Sequence, residues 1–114
     1  MEILKLLDDS DCIENYEIID YKHWSTGFYY KLKAIFTDDS VLAKEYFDSN
    51  ERNYSFHWQQ KDRHLICRWD NAPHHKSIAT FPHHKHCHDG IYESKEISLV
   101  EVLKTIRQQF KLVK

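Results

Sequence analysis

Apolar and polar positions alternate most clearly over residues 28–36. Phe28, Tyr30, Leu32, Ala34 and Phe36 fall on one side, and Tyr29, Lys31, Lys33 and Ile35 on the other. A period of two sends successive side chains to opposite faces, so this stretch predicts a half-buried strand. Thr37-Asp38-Asp39-Ser40 reads as a turn, because short Asp and Ser side chains bond back to the local backbone. Residues 41–47 then return as the hairpin partner. Residues 13–21 alternate as well, with β-branched and aromatic positions that favour a strand. Residues 54–59 set Tyr54, Phe56 and Trp58 against Ser55, His57 and Gln59, and residues 65–69 set Leu65, Cys67 and Trp69 against Ile66 and Arg68. Residues 22–27 read as a loop, and 49–53 and 60–64 as polar turns. Ile3, Leu4, Leu6 and Leu7 fit one helical turn or an extended start before the acidic cluster at 8–11.

The period changes near the C-terminus. Leu99, Leu103, Ile106, Phe110 and Val113 recur at spacings of four and three, the apolar stripe of a helix. Ser98 with Glu101 makes a capping box at its start, and Lys111 and Lys114 suit its negative end. Consecutive strands with short connections favour an antiparallel meander. The expected fold is therefore α+β: one domain over residues 1–114, a sheet of four to six strands, covered by the C-terminal helix. A chain of 114 residues bounds it to a single core.

Composition adds exclusions. Two glycines leave no room for a glycine-rich phosphate loop. No apolar run approaches ~18 residues, so no membrane span is expected. Cys12, Cys67 and Cys87 show no CxxC spacing, and an odd count without a signal segment points to a reducing cytoplasm. The net charge of −2 excludes a generic basic nucleic-acid binder. Its distribution is uneven: residues 57–88 carry +3 and eight histidines, and the remainder carries −5. A basic, histidine-rich patch on an acidic body suits an anionic ligand at one place.

Six of the nine histidines lie within residues 74–88: His74, His75, His83, His84, His86 and His88. Pro73 and Pro82 each precede a His-His pair and hold Ala72 and Phe81 extended. Two chemistries suit such a cluster. His84 and His86, two apart on an extended segment, share a face and could join Asp70 and His74 or His75 around zinc. The spacing matches no zinc signature, however, and HExxH is absent. The alternative needs no metal and no other cofactor. One imidazole takes the proton of an RNA 2′-hydroxyl, another protonates the leaving 5′-oxygen, and a cation stabilises the phosphorane. On that reading His84 and His86 form the acid–base pair. Arg68 and Lys85 stabilise charge, His74, His75 and His83 contact the phosphate, and Asp70 orients one imidazole. Asn71 and Trp69 complete the substrate-binding set.

Plainer roles compete for several of these residues. Asp70 and Asn71 are also the residues expected to shape a bend. Trp69 is core by its alternation, or a platform for base stacking. His57 stands opposite aromatics and fits either role. Lone residues such as His23 and His64 are simplest as surface groups.

The strings RWDNAPHH (68–75) and TFPHHKH (80–86) resemble the TumE family of prokaryotic type II toxin–antitoxin proteins. FHWQ (56–59) and SLVEVL (98–103) agree with it, and the likeness covers roughly residues 26–110. Lys61-Asp62-Arg63 replaces the family's usual Asp-Gly-Arg, and Cys87-His88-Asp89 its Val-Gly-Asp. The resemblance implies a cytoplasmic toxin with ribonuclease activity on RNA. It also implies a cognate antitoxin that carries a helix-turn-helix domain. A RelE-like architecture follows by analogy only. A metal-dependent phosphodiesterase and a non-catalytic histidine-rich binding module are the competing functions. Self-association into a homodimer stays open.

Overall fold

The computed structural model describes residues 2–112, with side chains over residues 3–110. The chain runs α1 (Glu2–Asp8), β1 (Ile13–Trp24), β2 (Gly27–Phe36), β3 (Val41–Asp48), β4 (Arg52–Gln59), β5 (Leu65–Asp70), β6 (His84–Cys87), β7 (Gly90–Glu93) and α2 (Leu99–Leu112). The seven strands form one antiparallel sheet in chain order. The α+β meander is as the alternation predicts, but with seven strands instead of four to six. The extra strands are β6 and β7, four residues each, which follow the histidine-rich connection. β1 also runs three residues further than its pattern suggests. Residues 22–24 pair with Tyr29, Phe28 and Gly27, so the expected loop shrinks to Ser25-Thr26. A Cβ on Gly27 would stand 2.1 Å from the Asp48 carbonyl oxygen, so the close approach of β3 here requires glycine.

Alternation sorts the two faces. Leu32, Ala34, Phe36, Leu42, Phe56, Trp58, Cys67 and Trp69 point to one side and bury there. Leu99, Val102 and Ile106 of α2 and Leu7 of α1 close over them. Phe110 meets Phe36 edge-on with ring centroids 6.1 Å apart. Val113 and Lys114 lie outside the described residues, as does the side chain of Lys111. The capping box forms as expected: Glu101 N–H reaches Ser98 Oγ at 3.4 Å, and Ser98 N–H donates to Glu101 Oε1 at 3.2 Å. Among the described residues no helix is long and apolar enough to cross a membrane. With both helices on one side, the opposite face of the sheet is left to a mixture of polar and exposed apolar side chains and to the 71–83 connection.

Candidate active site

Two rows of side chains cross this second face. Strand register places Ser55, Asp70 and His84 side by side, and next to them His57, Arg68 and His86. One hydrogen-bonded chain links the rows. Arg68 Nε donates to Asp70 Oδ2 at 2.9 Å, and Arg68 Nη1 lies 3.3 Å from His57 Nδ1. A guanidinium only donates, so Nδ1 accepts and the His57 proton sits on Nε2, which reaches Gln59 Oε1 at 3.1 Å. Burial first, and then the Arg68 charge, hold the His57 pKa below its usual value, in keeping with a neutral ring.

Asp70 is buried and anchors the other end. Its Oδ1 accepts from the Ala72 amide at 2.9 Å and lies 3.1 Å from His84 Nε2. His84 Nδ1 is 3.0 Å from the Pro82 carbonyl oxygen. That oxygen can only accept, so Nδ1 carries a proton. When Nε2 is protonated as well, the contact with Asp70 is a charge-assisted hydrogen bond. Asp70 thus caps the bend through the Ala72 amide and contacts the His84 imidazole.

The remaining imidazoles are differently placed. His86 stands opposite Arg68 on β6. His75 comes from the connection and sets its ring edge-on to both strand histidines, with centroids 4.7 Å from His84 and 5.8 Å from His86. Neither the His75 nor the His86 imidazole makes a hydrogen bond among the described residues. The connection is held by short turns, Ile78 N–H to the His75 carbonyl at 3.2 Å and Phe81 N–H to the Ile78 carbonyl at 3.0 Å. Thr80 Oγ1 donates to the His83 carbonyl and accepts from Ser94 N–H, which ties the connection to the end of β7.

Several expected site residues lie elsewhere. His84 is on a strand and 3% exposed, not on an open loop; with both nitrogens engaged it cannot exchange a proton with a ligand as it stands. Lys85 lies between His84 and His86 on an alternating strand and so points to the helix side, 5.8 Å over the Trp69 ring. Arg68 and Lys85 therefore cannot clamp one phosphate. Trp69 is 2% exposed and is core, with no free face for a base. His83 also turns to the helix side, stacked on Tyr54 at 5.7 Å with Nδ1 2.9 Å from the phenol. Asn71 accepts from Tyr54 N–H and donates to the Arg52 carbonyl, extending the β4–β5 ladder by side chain. His74 is exposed beside its bend. Of the residues that spacing put in one site, the fold brings Arg68, Asp70, His75, His84 and His86 together and separates Trp69, Asn71, His74, His83 and Lys85 from them.

One part of this face has no counterpart in the histidine strings. An open cleft of about 510 Å³ adjoins Arg68 and Asp70, walled by Lys22, Trp24, Tyr29, Glu45 and Phe47. The alternation of β2 and β3 does place Tyr29 and Phe47 on the face away from the core. That signal is readable only once Arg68 is known to share the face. Among the described residues no three His, Cys, Asp or Glu side chains are arranged to hold a metal ion.

No curated protein and no solved structure matches this chain. The family model for toxin TumE matches residues 3–111, nearly the whole chain, and the protein accordingly belongs to the TumE toxin family.

Proposed function

We propose that this toxin is an endoribonuclease that works by histidine acid–base catalysis without a metal. The observation that carries the reading is the pair of unbonded imidazoles, His75 and His86, within 5.8 Å of each other beside a fixed guanidinium. One takes the 2′-hydroxyl proton and the other returns a proton to the 5′-oxygen. Arg68, held by Asp70, faces the developing phosphorane charge. His84 and Asp70 are positioning groups: they hold the wall on which Arg68 and His86 sit. This replaces the His84 and His86 pair that spacing alone suggests. Attack by the 2′-hydroxyl leaves a 2′,3′-cyclic phosphate, and DNA, lacking that group, resists.

A toxin of this kind is paired with an antitoxin. The partner we propose is a helix-turn-helix protein with an acidic segment that docks over residues 68–88 in the cytoplasm and covers His75 and His86. The basic charge of residues 57–88 against an acidic remainder supports that polarity.

The deciding experiment is cleavage of an end-labelled RNA by purified toxin after exhaustive chelation. Full activity with a cyclic-phosphate product is expected. Activity that disappears on chelation and returns with one specific metal, or equal cutting of DNA, overturns the mechanism.

A further inference from the structure

The cleft beside the histidine face is built unlike the rest of that surface. Trp24 and Phe47 remain 38% and 41% exposed, with ring centroids 5.4 Å apart. They arise at the ends of β1 and β3, next to the β1–β2 hairpin, and Tyr29 lies directly opposite both Lys22 and Phe47 in the register. The two rings are tilted by 40° and form an angled aromatic wall left partly in water, which suits the face of one planar ligand against Trp24. Polar groups with defined roles stand round that wall. The Tyr29 phenol donates to Glu45 Oε2 at 2.8 Å, and this hydrogen bond raises the phenol to about 12, so it stays a donor. Glu45 keeps its other oxygen for an outside donor. Asp70, the second carboxylate in the cleft, already accepts three hydrogen bonds. Lys22 marks one end of the cleft and Arg68 the other.

From this arrangement we infer that the cleft is a nucleobase subsite for single-stranded RNA. A base next to the scissile phosphate lies against Trp24 and Phe47, and its Watson–Crick edge meets Glu45. A carboxylate can only accept, so it pairs with the amino groups of guanine, cytosine or adenine, whereas uracil offers only N3–H, set between two carbonyls that the carboxylate repels. Aromatic stacking accepts any base, so Trp24 supplies affinity and Glu45 supplies choice. A duplex keeps its bases paired and stacked and cannot enter. The inference deepens the ribonuclease reading and rests on it for the identity of the ligand as RNA.

Binding can be read apart from cleavage with short 2′-O-methyl oligonucleotides, in which the attacking hydroxyl is blocked. Trp58 and Trp69 are buried, so quenching of tryptophan fluorescence reports Trp24. Single-stranded G, C or A oligomers should quench it, and U oligomers should bind roughly tenfold more weakly. Measured by anisotropy of a labelled oligomer, Trp24→Ala should bind roughly ten- to a hundredfold more weakly, and Trp24→Phe should largely restore binding. Glu45→Gln should erase the bias against uracil with affinity for the other bases nearly kept. Equal affinity of Trp24→Ala and wild type overturns the subsite. So does a Trp24→Ala protein that keeps RNA affinity but no longer binds its antitoxin, which would make the cleft a protein-docking surface. If the oligomers bind as described but ordinary RNA is never cut, the subsite stands and the nuclease mechanism falls.

Discussion

Asp70 Oδ1 and His84 Nε2 meet at 3.1 Å across the β5–β6 pair, and both side chains are almost wholly buried. Removing one member leaves the other without its partner in a poorly solvated place, which typically costs several kcal/mol. Asp70→Ala and His84→Ala should each lower unfolding stability by about 2–5 kcal/mol, read from urea midpoints. If His84→Ala unfolds at the wild-type midpoint, the pair is not the anchor described. Loss of toxicity in that variant alone therefore carries no information about catalysis.

Which imidazole Asp70 meets was not legible in the sequence, and the reason is physical. Asp70 and His84 are fourteen positions apart, joined by a connection with no periodicity, and only strand register brings them together. The core sheet was legible, because β2 to β5 each bury one face and so alternate cleanly. β6 and β7 were not. Four-residue strands give too few alternations, and Ile91 and Tyr92 remain exposed, so no burial pattern marks them. The opposite directions of Lys85 and His84 were implicit in period-two geometry once residues 84–87 are extended. Trp24 escaped because its stretch of β1 is exposed on both faces and reads as loop.

The helix α2 is needed to close the core. Ile106 is fully buried against the sheet and Phe110 packs edge-on to Phe36. Phe110→Asp should lower stability by several kcal/mol, and Ile106→Asp by at least as much, through burial of an unpaired carboxylate. A Phe110→Asp protein that melts with wild type would mean that the last turns of α2 do not dock.

Lys44 is a charged group within the core face. Its ammonium lies 5.0–5.2 Å from the ring centres of Tyr30, Tyr46 and Phe56 and donates to the Tyr30 phenol. Burial lowers its pKa from 10.5 to about 8. Because the unfolded chain holds this proton more tightly, Lys44 opposes folding in full below about pH 8, and the opposition fades as pH rises towards 10.5. The aromatic rings offset part of it. Lys44→Met should raise stability at pH 7 by about 1–3 kcal/mol and remove the gain between pH 8 and 10. Above that window the raised Tyr30 and Tyr54 phenols act in the opposite sense. A destabilised Lys44→Met protein would show that the aromatic cage outweighs desolvation.

His57 should contribute a pH dependence of the opposite range. Its folded pKa lies below the unfolded 6.5, through burial and the neighbouring Arg68. Between those two values the unfolded chain binds the extra proton, so stability is present above pH 6.5 and is lost as pH falls. The difference in urea midpoint between wild type and His57→Gln should shift between pH 7 and 5, with wild type losing more. A constant difference across that range would place no neutral imidazole at this position.

The separation of anchoring from proton transfer makes the sharpest prediction. His75 and His86 have free nitrogens and lie at the surface of the site, so neither is needed to hold the fold together. His75→Ala and His86→Ala should keep unfolding stability within about 0.5 kcal/mol of wild type and each lose at least ~100-fold in RNA cleavage. Arg68→Ala should also slow the reaction, by removing charge stabilisation from the transition state. His74→Ala is the control: an exposed histidine of the same connection, outside the ring cluster, should cleave almost as wild type. The rate of the wild-type protein should follow a bell-shaped pH curve, one limb from the group that must be neutral and one from the group that must be protonated. Each alanine variant should lose one limb of that curve, and the limb lost assigns base and acid. Full toxicity in cells with both histidines replaced, in a protein that folds normally, would remove them from the mechanism.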